Sequence, residues 1–434
     1  MYATSHVSTM SLHCSSPVLV LSLLLLSLSP PVTLAADAPP PSKPIVTRIA
    51  KDSSTSLYTI PVKNGAPLVL DLAGPLVWSP CPAKHRTVPC KSGVCKVAQR
   101  NRPANCASAS GGQAGSGDPH CACTAYPYNP VSGQCGGGDV TVVPVSANAT
   151  DGAKPLFPVS FSAYGSCAPE GLLASLPSGA AGVAGLSRTP LSLPFQIASR
   201  LKVAKQFMLC LPGRGQTGAA IFGGGPFELH EFPDSDLAGG LREGAIPFLK
   251  NPKNGAYYFR VHGIAVNQAL VPTPAGAFDL DARRGTGGVT FSTVTPYTTL
   301  RPDIYRPLRT AFEAVTSGVR RAAPVKPFDL CYDASAFPMT RLGYGVANID
   351  LMLDGGRSWT LPGGSSLVHV NDQTVCFAFL EMGSAAAAVP GSPAVIVGGF
   401  QLEDNMLLFD LEKGTFGISG LLWGRRTSCS NFDF

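Results

Sequence analysis

The sequence predicts an all-β protein made of two similar halves, and three observations point there. Charged residues make up only 14% of the 434-residue chain, while 47 glycines and 40 prolines punctuate it. Between them lie short runs rich in β-branched and aromatic residues, the pattern of strands separated by turns. The same order of runs also occurs twice: a strand entering a tight turn, then later a small-residue strand ending in glycine. The length suffices for one large two-part unit.

In chain order, residues 1–36 hold no Asp, Glu, Lys or Arg, and 18–26 is apolar apart from Ser22. Thr33-Leu34-Ala35-Ala36 follows as a small-residue cleavage pattern, so 1–35 is expected to be a secretory signal, although its start lacks the usual positive charge. The apolar run is too short to span a membrane. A first lobe is then expected over 36–215 and a second over 216–434. A Pro-rich tail (37–43) precedes a strand expected over 54–62, where apolar and polar residues alternate. Leu68-Val69-Leu70-Asp71 is an apolar strand that delivers one carboxylate into a turn, and Leu76-Val77-Trp78-Ser79 leaves it. Segment 81–135 is a Cys-rich insertion that must be stapled to hold its shape. Within it, 126–133 is expected to be a hairpin tip, and 139–146 the returning strand. Small residues at 182–186 form a strand, and a helix is expected over 194–206 with Ile197, Leu201 and Ala204 on one face. Strands at 207–211 and 219–222 lead to Gly223-Gly224-Gly225-Pro226. That triplet is a turn, since no Gly-Lys-Ser/Thr follows to cradle a phosphate.

The second half repeats the order. Strands at 257–266 precede Gly288-Val289-Thr290-Phe291-Ser292, again a strand entering a turn. A helix starts at Arg301-Pro302-Asp303, with Ile304, Leu308, Phe312 and Val315 on one face. Short strands follow at 331–332, Ile349–Leu353, 366–370 and 375–379. Ala394-Val395-Ile396-Val397-Gly398 mirrors 182–186, and Met406–Asp410 and Thr415–Ile418 close the sheet.

The net charge of +6 is spread along the chain without a basic or aromatic-basic cluster, which speaks against a nucleic-acid partner. No segment after the signal is long and apolar enough for a membrane span. Thirteen cysteines become twelve once Cys14 leaves with the signal, and an even count in a secreted chain implies disulfides. His120, Cys121 and Cys123 are adjacent, but zinc-type C-x₂-C pairs are absent. No metal or cofactor is expected. Asn148-Ala149-Thr150 is an N-glycosylation acceptor, expected in a surface loop. No Gly-x-Ser-x-Gly supports serine-hydrolase chemistry, and the histidines at 85, 120, 230, 262 and 369 are scattered.

The turns at 71 and 292, set side by side, resemble the paired active-site loops of pepsin-like aspartic peptidases. There each lobe contributes an Asp-Thr/Ser-Gly turn, and the two aspartates share one water. More specifically, the chain is similar to plant TAXI-type xylanase inhibitors and their relatives, the xyloglucanase-inhibiting proteins and basic globulins. The resemblance covers the whole mature chain. It rests on Ser56-Leu57-Tyr58-Thr59-Ile60, Asp71 through Trp78, Cys123 through Gly133, Leu173-Ala174-Ser175-Leu176-Pro177, Ile221 through Pro226, Leu300-Arg301-Pro302-Asp303, Tyr305-Arg306-Pro307, and the order of twelve cysteines. It implies a bilobal pepsin-like fold with two β lobes around a central cleft. It also implies Cys331–Cys376 and Cys210–Cys429 pairs.

The chain departs from these relatives in ways that bear on function. Ser292 stands where the second aspartate belongs, Leu72 where a hydroxyl residue belongs, and Val294 where a glycine belongs. A peptidase needs two carboxylates sharing one proton, so the expectation is a proteolytically inactive member. Asp71 would persist as a structural acid facing Ser292. The inhibitors present a histidine on a C-terminal loop; here that stretch is Leu421-Leu422-Trp423-Gly424-Arg425-Arg426, without one. Their Arg-Leu pair before Pro-Tyr is Val294-Thr295 here, ahead of Pro296. The resemblance implies a secreted, monomeric plant defence protein of the apoplast that inhibits microbial glycoside hydrolases. Its expected contact residues are Trp423, Arg425 and Arg426, with Val294, Thr295 and Pro296 nearby. Two alternatives stay open: a glycan-acting protein such as a chitinase, and a storage or signalling globulin. The Asp-x-x-Asp-x-Asp-x-Glu run of one chitinase class is absent, and Asp279-Leu280-Asp281 is expected to be a turn.

Overall fold

The computed structural model describes residues 43–432 except 104–105, 107–120, 153, 214, 226–236 and 390. The signal segment, His120, His230 and Pro226 lie outside the described residues.

The floor of the molecule is a six-stranded antiparallel layer with three strands from each half, counting Thr217–Phe222 with the first-half strands Ile45–Lys51 and Gln206–Cys210 that it pairs with. Its order is Ile45–Lys51, Thr217–Phe222, Gln206–Cys210, Met406–Asp410, Thr415–Ile418 and Ile246–Leu249. The halves meet where Gln206–Cys210 pairs with Met406–Asp410, Phe207 opposite Phe409. Those two rings stack at 4.5 Å and 4°. Tyr257, Phe248, Phe416 and Phe291 pack around them in edge and offset contacts. Aromatic pairs of this kind contribute about 0.5–1.5 kcal/mol each beyond their burial, and here they fix the seam.

Above the floor the halves carry one motif twice. In the first, Ala66–Asp71 runs parallel to Val183–Gly185, and Val77–Ser79 returns antiparallel to the same strand. In the second, Val289–Phe291 runs parallel to Val395–Val397, and Thr298–Leu300 returns antiparallel to it. Each returning strand also pairs in parallel with a further strand, Phe157–Cys167 or Phe379–Glu381. The small residues have a steric cause. A Cβ on Gly185 would sit 2.5 Å from the Leu76 carbonyl oxygen, and one on Gly398 would sit 2.6 Å from that of Tyr297. Each loop can close over its neighbour strand only where that strand has no side chain.

All twelve cysteines from 81 to 429 are paired: 81–167, 90–121, 95–123, 106–135, 210–429 and 331–376. Four of these six staple the insertion to itself and to the strand ending at Cys167. The insertion contains the helix Gly93–Arg100, capped by the Ser92 side chain, which the loop-like composition hides.

Several expected boundaries move. The strand expected over 54–62 is Tyr58–Lys63, because Asp52 Oδ1 accepts the N–H groups of Ser54 and Thr55 and folds 52–57 into a turn. The helix expected over 194–206 is Leu193–Leu201; Lys202 adopts a left-handed conformation, and Ala204 lies beyond the end. In the helix Pro302–Val315, Ile304, Leu308 and Phe312 are buried but Val315 is 43% exposed. Segment 126–133 does lie in a hairpin loop, between Thr124–Ala125 and Gly138–Ala149. Asn148 stands exposed near the end of that last strand, opposite Val46 and Pro158, not in a loop. Of the turn expected at 279–281, Leu280 instead bridges antiparallel to Gly287, and the turn is 281–284, where Asp281 Oδ1 accepts the N–H groups of Arg283 and Arg284. Among the described residues no helix is long and apolar enough to cross a membrane.

Candidate functional site

Asp71 ends its strand only 5% exposed. Its Oδ1 accepts the Ala73 N–H at 2.8 Å, so the carboxylate caps its own turn. Burial pushes its pKa up from 3.8 to about 6, against the opposing pull of the Ala73 and Gly74 N–H groups. Ser292 does the same job in the other half. Its Oγ accepts the N–H groups of Val294 (3.3 Å) and Thr295 (3.1 Å) and donates to Thr295 Oγ1 at 3.0 Å. Among the described residues no hydrogen bond joins Asp71 to Ser292. Each polar group turns back onto its own loop.

The bridge between the loops is Thr293. Its hydroxyl donates to the Leu70 carbonyl at 2.6 Å and accepts the Leu72 N–H at 3.3 Å, with the side chain 1% exposed. The reciprocal position in the first loop is Leu72, fully buried in the main core and unable to return the contact. Sequence reasoning passed over Thr293; its only signal was a hydroxyl residue directly after the acid position.

Asp71 lines a cavity of about 270 Å³, with Trp78, Tyr126, Tyr128, Arg100 and Lys253 among its walls and Val294 reaching in from the second half. The 126–133 loop is fixed over it. Trp78 Nε1 donates to the Tyr128 carbonyl at 3.0 Å, and buried Asn129 donates to the Leu172 and Ala174 carbonyls at 2.8 Å each. Asp71 also raises the pKa of the Tyr128 hydroxyl, second to burial. Among the described residues the lining holds no second carboxylate, so this cavity cannot share one proton between two acids over a water. It can offer one acid that is neutral below and ionised above about pH 6.

The remaining candidate residues sit elsewhere. Trp423 belongs to the short 3₁₀ turn Leu422–Arg425 and is half-buried. Its Nε1 donates to Asp404 Oδ2 at 2.9 Å, while Asp404 Oδ1 accepts the Cys429 N–H at 2.9 Å. The turn is thus held at one end by Asp404 and beyond the other by the Cys210–Cys429 bond. Arg425 and Arg426 project from it exposed, with no carboxylate partner among the described residues. Val294 lines the cavity at Asp71, whereas Trp423 lines a different one; the Thr295 and Pro296 carbonyls accept the Gly399 and Phe400 N–H groups. A further cluster, Cys81, His85 and Cys167, has metal-like spacing. Its two sulfurs are a disulfide and His85 faces Asp139 at 3.2 Å, so no thiolate is available to a cation.

Residues 58–224 match the family described as xylanase inhibitor N-terminal, and 256–420 match xylanase inhibitor C-terminal. This chain belongs to the TAXI-type xylanase-inhibitor family. Family relatives differ in their names. Chitinase CLP from Oryza sativa subsp. japonica is 47% identical over 426 residues, 95% of this chain and 98% of that protein. Gamma conglutin 1 from Prunus dulcis is 33% identical, covering 90% of this chain and 89% of that one. Among solved structures, edgp has a TM-score of 0.80 at 32% identity, covering 91% of this chain and 98% of its own. Soybean basic 7S globulin has a TM-score of 0.72 at 26% identity, covering 91% and 99%. The bilobal pepsin-like fold is therefore the family's fold.

Proposed function

We propose that the chain is a secreted plant defence protein, proteolytically inactive, that binds microbial cell-wall-degrading glycoside hydrolases of the xylanase or xyloglucanase type and blocks them. The observation that carries this reading is the division of labour between the two regions just described. The peptidase position keeps one acid where the chemistry needs two. The C-terminal turn, by contrast, offers two exposed arginines on a backbone fixed by Asp404 and a disulfide. A pre-ordered loop loses little freedom on binding, and arginines suit the acidic clefts of glycosidases. Trp423 is half-buried against its own protein, so its role is to set the turn, with the arginines making the contact. The six disulfides suit an oxidising extracellular compartment such as the apoplast.

The test is capture of purified xylanases and xyloglucanases by the protein, with inhibition assays. The doubly substituted Arg425→Ala/Arg426→Ala variant is expected to weaken any complex by about 1–4 kcal/mol. A complex that ignores both substitutions would place the contact elsewhere.

A second reading has its own support. The 47%-identical rice relative is named a chitinase, and a buried acid with a pKa of about 6 has the property a general acid requires. With one carboxyl, glycoside hydrolysis would need the substrate's own acetamido oxygen to attack C1 while Asp71 protonates the leaving oxygen. Release of reducing ends from chitin oligosaccharides, lost in Asp71→Asn, would establish it; no release from wild-type protein would remove it.

A further inference from the structure

We propose that the cavity beneath the C-terminal turn is a binding site for an uncharged oligosaccharide. This cavity of about 600 Å³ shares no lining residue with the one at Asp71, and its size lies within the ~300–1,000 Å³ range of small-molecule sites. Both halves build it, the first through Lys51, Ser53 and Gln216 and the second through the segments around Tyr297, Tyr344, Phe400 and Trp423.

The walls come first. All four of those rings are half-buried, and each is held from behind. Tyr297 packs edge-on to Phe328 at 4.8 Å and tilts against Phe400 at 5.6 Å. Tyr344 packs on Phe337 at 6.0 Å, and Trp423 is tied to Asp404. Ring faces fixed in this way carry negative potential, which suits the C–H-covered face of a sugar ring.

The charges at the floor select against an ion. Lys51 Nζ meets Glu403 Oε1 at 2.5 Å, and the Tyr58 hydroxyl donates to that same oxygen at 2.6 Å. Asp404 is satisfied by Trp423 and the Cys429 N–H. A charged ligand would have to disrupt pairs already matched in a half-buried setting, at a high desolvation cost. His369 and Asp372 stand at the exposed rim.

The mouth supplies the remaining chemistry. The Ser53 hydroxyl and the Gln216 and Asn371 amides are exposed there, and each can both donate and accept. A purely apolar ligand would leave these groups unpaired on desolvation. A molecule with flat apolar faces and a hydroxylated edge satisfies walls and mouth together. The site uses neither Asp71 nor the exposed arginines, so it stands or falls apart from the inhibitor and chitinase readings.

The test is isothermal titration of the full protein with chitotriose, xylotriose and cellotriose, with tryptophan fluorescence as a second readout. At least one trisaccharide is expected to bind with millimolar or tighter affinity. Phe400→Ala should weaken it by about tenfold. Gln216→Ala/Asn371→Ala, two exposed positions outside the core, should weaken it at least severalfold in a variant whose thermal unfolding matches wild type. Which sugar binds separates a fungal-wall ligand (chitotriose) from a plant-wall one (xylotriose or cellotriose). No binding by any of the three, or binding that the double variant leaves at wild-type strength, overturns the proposal.

Discussion

The turns at 71 and 292 hold equivalent places in the two halves and solve one backbone problem with different atoms. Each must cap its own N–H groups and lie close to a glycine-bearing neighbour strand. Asp71 caps with a carboxylate and Ser292 with a hydroxyl, and both succeed. The cross-loop link is one-sided: Thr293 reaches into the first loop, and Leu72 gives the core an aliphatic side chain in return. The fold therefore needs the caps and one bridge, while the pair of acids was a requirement of chemistry alone. A half with its acid replaced keeps its architecture.

The largest way to break this symmetry is at the bridge. Thr293→Val leaves the Leu72 N–H and the Leu70 carbonyl without their partner in a buried site. At about 1–3 kcal/mol per orphaned group, unfolding free energy should drop by roughly 2–6 kcal/mol in denaturant titration. Leu72→Val, which keeps an aliphatic side chain and touches no hydrogen bond, should cost only about 0.5–1.5 kcal/mol. Equal losses in the two variants would mean that the bridge is not what joins the loops.

The second difference is titratable. Asp71 holds its proton more tightly folded (about 6) than unfolded (3.8). The folded state therefore binds more protons in that window, and stability falls as pH rises from about 4 to 7. The drop attributable to Asp71 is about 3 kcal/mol, and Asp71→Asn should abolish that part. Glu403 and Asp404 are raised in the same direction by burial, so the test is the difference between the two pH profiles. Parallel profiles would show that Asp71 is not buried as described.

Ser292→Ala is a smaller perturbation than loss of the bridge or of the buried acid. It removes a side-chain cap at the mouth of a turn whose remaining contacts stay, so a loss of about 0.5–2 kcal/mol is expected. The same measurement on Asp71→Ala should show a different pH dependence, because only that variant removes a charge.

Much of this comparison is legible in the sequence. The duplicated order and the turn positions follow from local patterns: β-branched runs, Gly185 and Gly398; that Ser292 replaces a second acid follows from the resemblance to pepsin-like loops. What escapes is whatever depends on partners far along the chain. Thr293 looks like any strand threonine until the carbonyl of Leu70, 223 positions away, accepts its hydrogen bond. Trp423 looks like an exposed anchor until Asp404 turns its indole inward. The strand Phe157–Cys167 makes the longest pairing in the first half, with Gly138–Ala149; Val159-Ser160-Phe161-Ser162-Ala163 does alternate, but Pro158, Gly165 and three serines dilute the signal.

The central claim is that one acid and one serine cannot do the work of two acids. It is tested most directly by incubating purified protein with casein or haemoglobin from pH 3 to 6, with and without pepstatin. No cleavage is expected at any pH, and none from Ser292→Asp, in which Leu72 and Val294 still alter both turns. Pepstatin-sensitive cleavage by the wild-type protein that disappears in Asp71→Asn would contradict it.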